Sequence, residues 1–239
     1  MPTVGIQPHI GEPTAEGYRD VTLSTVAGDV ICQWYRSPGS ERAIAYVGGV
    51  GGDFDSPANG LYPRLCSELL AEGFHGLRVQ FRDPVDLVQA IYDLEVGTAF
   101  LAHEGAKRLG IVGHSFGGAV AIQVAALDEH VRTVVALASQ SHGARPVADL
   151  RPGVSALLMH GAEDTALPPT ASEHIFDWAH EPKRLVILPG TGHVLDESAE
   201  QVHAEVREWL ERELPPEPRG ASPTERTSAP RARRAGGGY

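Results

Sequence analysis

The sequence predicts one α/β domain built on a mostly parallel central sheet of about eight strands, opened by an antiparallel hairpin and covered by helices on both faces. Two patterns and one bound predict it. Short β-prone runs alternate with helical patterns along most of the chain, as in sheets wound through crossover helices. Several of those runs are continuously apolar, which suits strands buried on both sides rather than on one. The length of 239 residues is enough for one full domain or two small ones.

In chain order, residues 1–18 hold Pro and Gly in a pattern expected of an irregular lead-in. The folded domain is expected over residues 19–214. Arg19–Val26 and Asp29–Arg36 flank Ala27-Gly28-Asp29 and predict a hairpin. Strands are then predicted at Arg42–Val47, Gly76–Phe81, Lys107–Val112, Val131–Ala138, Val154–Met159 and Arg184–Leu188. Between and after them lie helical patterns. In Pro84–Glu104, the residues Leu87, Ile91, Leu94 and Leu101 fall near one face, and in Asp196–Leu214 the residues Val202, Val206, Trp209 and Leu210 do so. Gly118–Leu127 is apolar nearly all round, as a helix buried against a sheet would be. There is no internal repeat and no heptad array. Residues 215–239 contain Pro, Arg and Glu but no Leu, Ile, Val, Phe or Trp, so too little apolar surface is present to offset chain entropy. A disordered, solvated tail is expected there.

Composition narrows the function classes. At 42% hydrophobic residues the chain is an ordinary globular one, and its apolar runs fall well short of a membrane span. The net charge of −11 argues against a nucleic-acid backbone as the main partner. Only Cys32 and Cys66 are present, too few for a disulfide framework. The first residues, Met1-Pro2-Thr3-Val4-Gly5, lack the basic head and apolar stretch of a signal peptide. A cytoplasmic location and no membrane partner are the expectations, with oligomeric state left open.

The chemistry-bearing signals all sit just after predicted strands. Gly113-His114-Ser115-Phe116-Gly117-Gly118 joins an apolar strand to the buried helix. Glycines two residues either side of a serine suit a sharp strand-to-helix turn that lifts the hydroxyl to the carboxyl end of the sheet. A serine nucleophile needs a base, and the base needs an orienting carboxylate. His193, in Pro189-Gly190-Thr191-Gly192-His193 after the last strand, is the candidate base; the other ten histidines read as surface or ordinary core residues. Asp164, in His160-Gly161-Ala162-Glu163-Asp164, is the candidate carboxylate, with Glu163 the neighbouring alternative. Gly48-Gly49-Val50-Gly51-Gly52 follows another strand and lets backbone N–H groups approach an anion. A phosphate-binding Walker loop is excluded, because no Lys lies near either glycine cluster. A dinucleotide fingerprint is disfavoured too, since Asp53 and Asp55 would stand beside the phosphates. No His or Cys spacing suggests a metal, and no cofactor is implied.

Together these residues resemble the α/β-hydrolase family over about Arg19 to Leu214. The chain order Ser115, Asp164, His193 is the family's nucleophile–acid–base order. By that resemblance Ser115 is the nucleophile, His193 the general base and later acid, and Asp164 the residue that orients His193. The family's His-Gly-x motif maps onto Gly48-Gly49-Val50, so Val50 and Phe116 would supply the oxyanion-hole amides. Gly48 stands where His is usual, and Gly49 or Gly51 remain possible donors. The short layout is similar to dienelactone-hydrolase-like members, which typically carry Cys where this chain has Ser115; their lactone is not carried over. Only Ser139–Gly153 separates the strands between which many members insert a helical lid, so a minimal cap is implied, with an open site bounded by Phe54, Arg82 and Ser139–His142. The implied function is a serine esterase acting on a small-molecule acyl substrate, an ester, lactone or thioester. The alternatives are an inactive binding protein of the same fold, or an acyltransferase, peptidase or C–C hydrolase using the same triad.

Overall fold

The sheet starts earlier than the sequence predicts. The computed structural model describes residues 5–216, and within them Gln7–Pro13 forms a strand, β1, inside the segment expected to be irregular. Its residues are all exposed, and its pairing with the next strand shifts register between Ile10 and Pro13. Pro8 and Pro13 hide such a strand from a sequence reading, yet an outermost strand tolerates proline because one row of its amides needs no sheet partner. The expected tail falls largely on residues 217–239, outside the described residues.

The remaining strands follow the predicted order. Arg19–Thr25 (β2) and Gly28–Tyr35 (β3) form the antiparallel hairpin, and β3 pairs antiparallel with His75–Val79 (β5). Arg42–Val47 (β4), β5, Arg108–His114 (β6), Val131–Leu137 (β7), Ser155–Gly161 (β8) and Lys183–Leu188 (β9) run parallel. The nine-stranded order is β1-β2-β3-β5-β4-β6-β7-β8-β9. Among the described residues there is one strand more than the predicted eight, and it is β1.

Alternation along β4 shows how both faces are filled. Ala43, Ala45 and Val47 enter one apolar core, while Ile44 and Tyr46 enter the other. The first core is closed by Leu87–His103 (α2), Phe116–Leu127 (α3) and Thr170–Trp178 (α4). The second is closed by Pro57–Ala71 (α1) and Ala199–Glu213 (α5). Asp86 starts α2, its carboxylate accepting hydrogen bonds from the backbone N–H groups of Val88 and Gln89, each at 3.0 Å. The predicted C-terminal helix divides into a 3-10 turn at Asp196–Ser198 and α5. Between β7 and β8 there is a 3-10 turn at Arg145–Asp149 and no cap.

Strand order reverses at β4. Its chain continuation, β5, lies on one side, and β6 lies on the other. Such a reversal opens a crevice at the carboxyl ends of the two central strands. The loop after β4 and the turn after β6 meet there.

Candidate active site

Ser115 occupies the turn between β6 and α3 with φ 55° and ψ −118°, a backbone region that non-glycine residues rarely enter. The strain persists because the surroundings fix it. The Ser115 N–H donates to the Leu137 carbonyl at 2.8 Å. Glycines make the turn possible: a methyl group at Gly113 would overlap the Gly117 backbone, and one at Gly117 would overlap the Gly48 carbonyl oxygen. Gly118 packs equally closely, an added Cβ falling 2.6 Å from Ser139 Oγ. Phe116, the first residue of α3, sits in the first turn, where backbone N–H groups have no intrahelical acceptor.

The three polar residues singled out from separate strands converge. Ser115 Oγ lies 3.0 Å from His193 Nε2, and His193 Nδ1 lies 2.7 Å from Asp164 Oδ2. Asp164 Oδ1 accepts from the backbone N–H groups of Ala166 and Leu167, both at 2.8 Å. Burial pushes the Asp164 carboxyl up, but hydrogen bonds from Leu167, His193 and Ala166 outweigh it and hold the group below its ordinary value. Glu163, the alternative, is exposed, and it is Asp164 that meets His193.

The loop carrying His193 is pinned from several sides. A methyl group at Gly161 would overlap the carbonyl oxygens of Thr191 and Gly192, so only glycine lets this loop lie against the end of β8. The start of α1 grips the far side. Ala58, Asn59 and Gly60 all have positive φ, and that turn aims the Ala58 N–H at the Val194 carbonyl (2.7 Å) and the Asn59 N–H at Asp196 Oδ1 (2.8 Å). From the sheet, His114 Nε2–H donates to the His193 carbonyl at 3.0 Å, and the two rings lie 4.9 Å apart. Burial holds the His114 imidazole below its ordinary basicity despite that bond, so it stays neutral and Nε2 keeps its proton.

The glycine loop after β4 faces the serine. An added Cβ at Gly49 would come 3.2 Å from Ser115 Cβ and 3.5 Å from His114 Nδ1. Gly48 and Gly51 fold around Asp55, and Val50 is 57% exposed at the mouth. Three of the expected boundary residues have structural tasks. Arg82 is paired with the buried Asp93 at 2.6 Å and also donates to the Ala27 carbonyl, while the Phe54 ring lies under the Arg78 guanidinium at 5.3 Å. Ser139 packs on α3 through Gly118. Among the described residues, no group of three or more His, Cys, Asp and Glu is placed to hold a metal ion.

Sequence patterns passed over two further histidines that the structure brings to the site. His114 adjoins Ser115, and His160 reaches Asp164 with Nε2–Oδ2 at 3.1 Å. Neither has a spacing that marks it as more than a core residue. Their positions at the ends of β6 and β8, beside named site residues, are the available signals.

A parallel sheet with an antiparallel start, no cap, and a serine at a strained strand-to-helix turn define a lidless α/β-hydrolase architecture. Known structures agree. A dienelactone hydrolase from Anabaena variabilis superposes with TM-score 0.69 at 22% identity, over 87% of this chain and 99% of that one. A lidless α/β serine hydrolase from Xanthomonas campestris gives 0.68 at 18% identity, over 87% and 100%. Est1E from Butyrivibrio proteoclasticus gives 0.67 at 16% identity, over 81% and 98%. No curated protein matches the sequence significantly. Residues 79–212 match the dienelactone hydrolase family, and the chain belongs to that family. It is a hydrolase of the α/β class.

Proposed function

We propose that the chain is a serine esterase that cleaves a small carboxylic ester, lactone or thioester through an acyl-enzyme on Ser115. The observation that carries this is the unbroken relay of Ser115 Oγ, His193 and Asp164 at 3.0 and 2.7 Å, ending on a serine held in a strained turn. His193 Nε2 takes the hydroxyl proton as Oγ attacks the acyl carbon. The amides of Val50 and Phe116 hold the resulting oxyanion, at the loop and helix start that flank Ser115. Collapse breaks the bond to the leaving group, which receives the proton from His193. Water then attacks the acyl-enzyme, giving its proton to His193, which returns it to Ser115 as the acid product departs. Asp164 keeps the His193 Nδ1 proton in place and stabilises the imidazolium that forms twice per turnover.

Structural neighbours also support the esterase assignment, among them an acetyl xylan esterase from Paenibacillus and an esterase from Pyrococcus furiosus. Hydrolysis of p-nitrophenyl acetate by the wild type and by Ser115→Ala tests it. Turnover should fall by roughly three to six orders of magnitude, because members of such a relay act as one unit. Wild-type turnover in Ser115→Ala would overturn it.

A further inference from the structure

Asp164 is shared. His160, at the end of β8, is fully buried, and its Nε2 lies 3.0 Å from the Leu167 carbonyl oxygen and 3.1 Å from Asp164 Oδ2. A carbonyl can only accept, so Nε2 carries the proton. Burial holds the His160 imidazole below its ordinary basicity, against the opposing pull of Leu167 and Asp164, so the ring is neutral and Nδ1 is an acceptor. Ser172 Oγ, buried on α4, lies 2.7 Å from Nδ1 and donates to it, which locks the tautomer. Leu167 completes the clamp: its N–H donates to Asp164 Oδ1 and its carbonyl accepts from His160.

We propose that His160 is a positioning residue for the base, acting through Asp164. Its Nε2 stands 3.1 Å from the same carboxylate oxygen that accepts the hydrogen bond from His193 Nδ1–H, and its bond to the Leu167 carbonyl holds the residue whose N–H donates to Asp164 Oδ1. The consequence is a limit on how strongly Asp164 stabilises the His193 imidazolium. A carboxylate that loses a neighbouring N–H dipole directs more of its negative charge at its remaining partner. Removing the His160 N–H therefore favours protonated His193 and moves the acid limb of the rate profile to higher pH. The other polar groups around the relay are His114 from β6, Ser172 from α4, Asp55 beside the glycine loop, and Glu197, which accepts from the Gly192 N–H at 3.1 Å.

The inference rests on the triad assignment and has its own test. kcat/KM for p-nitrophenyl acetate is measured from acid to alkaline pH in wild type, His160→Gln, His160→Leu and Ser172→Ala. Glutamine can place a donor near the position of Nε2, so His160→Gln should keep the acid limb close to wild type. His160→Leu should raise it by roughly half to one pH unit. Should His160→Leu fail to fold, Ser172→Ala carries the test, with a smaller shift in the same direction expected as the tautomer lock is lost. An unmoved limb in the folded variants, or glutamine shifting as far as leucine, would overturn the role of His160. That failure is distinguishable from failure of the triad: with Ser115→Ala inactive and the limb unmoved, only His160 loses its role. Full turnover in Ser115→Ala would remove the triad itself.

Discussion

His193 has no contact that substitutes for its ring between Ser115 Oγ and Asp164 Oδ2. His193→Ala should therefore lower kcat by several orders of magnitude with little change in thermal midpoint, a split that steady-state kinetics and a melting curve check together. Buried histidines add a pH signature to stability. Burial depresses the basicity of His75, His114 and His160 in the folded state. Below the ordinary histidine value of about 6.5 the unfolded chain takes up protons that these folded rings refuse, so stability falls as pH drops through that value. Melting curves at pH 8 and pH 5.5 should show the lower midpoint at pH 5.5. The convergence of Ser115, Asp164 and His193 was legible in the sequence because each follows a separate strand in the family's order. His114 and His160 were not, since a neutral buried histidine has the same sequence appearance whether it packs or positions.

The turn at Ser115 and the loop carrying His193 are held by backbone proximity more than by side chains. Gly117 touches the Gly48 carbonyl, and Gly161 touches the carbonyls of Thr191 and Gly192. Gly117→Ala should force β4 and α3 apart at the serine, costing at least about 1–3 kcal/mol, the usual range for overpacking. A denaturant titration with a reduced midpoint, alongside reduced turnover, is the expected result. Strand positions were readable because continuous apolar runs carry their own length, and β4 and β6 keep their predicted starts at or within one residue. β1 escaped because its exposed, proline-bearing sequence carries no alternation. α1 also escaped: its first turn departs from helical geometry at Ala58–Gly60, and that departure serves the His193 loop rather than the helix.

At the scale of the whole molecule, the candidate site lies at the carboxyl ends of the strands, and among the described residues no cap is inserted between β7 and β8. The described residues supply no helical roof to bury a long acyl chain, so esters of short acids should be turned over with the highest kcat/KM. An acyl-length series with p-nitrophenyl esters checks this, and an optimum at long chains would contradict it. The last described residues close the fold at the opposite ends of β4 and β6, where Arg42 and Arg108 donate to the carbonyls of Leu214 and Pro215 at 3.1 and 2.6 Å. A chain cut after Pro216 keeps both contacts and should retain folding and turnover, which circular dichroism and kinetics can measure. The most direct test of the central claim is mass spectrometry of the protein after reaction with a fluorophosphonate. One adduct on the peptide containing Ser115, absent from Ser115→Ala, is the expected result. An adduct on another residue, or hydrolysis that persists while Ser115 stays unmodified, would contradict the assignment of Ser115 as the nucleophile.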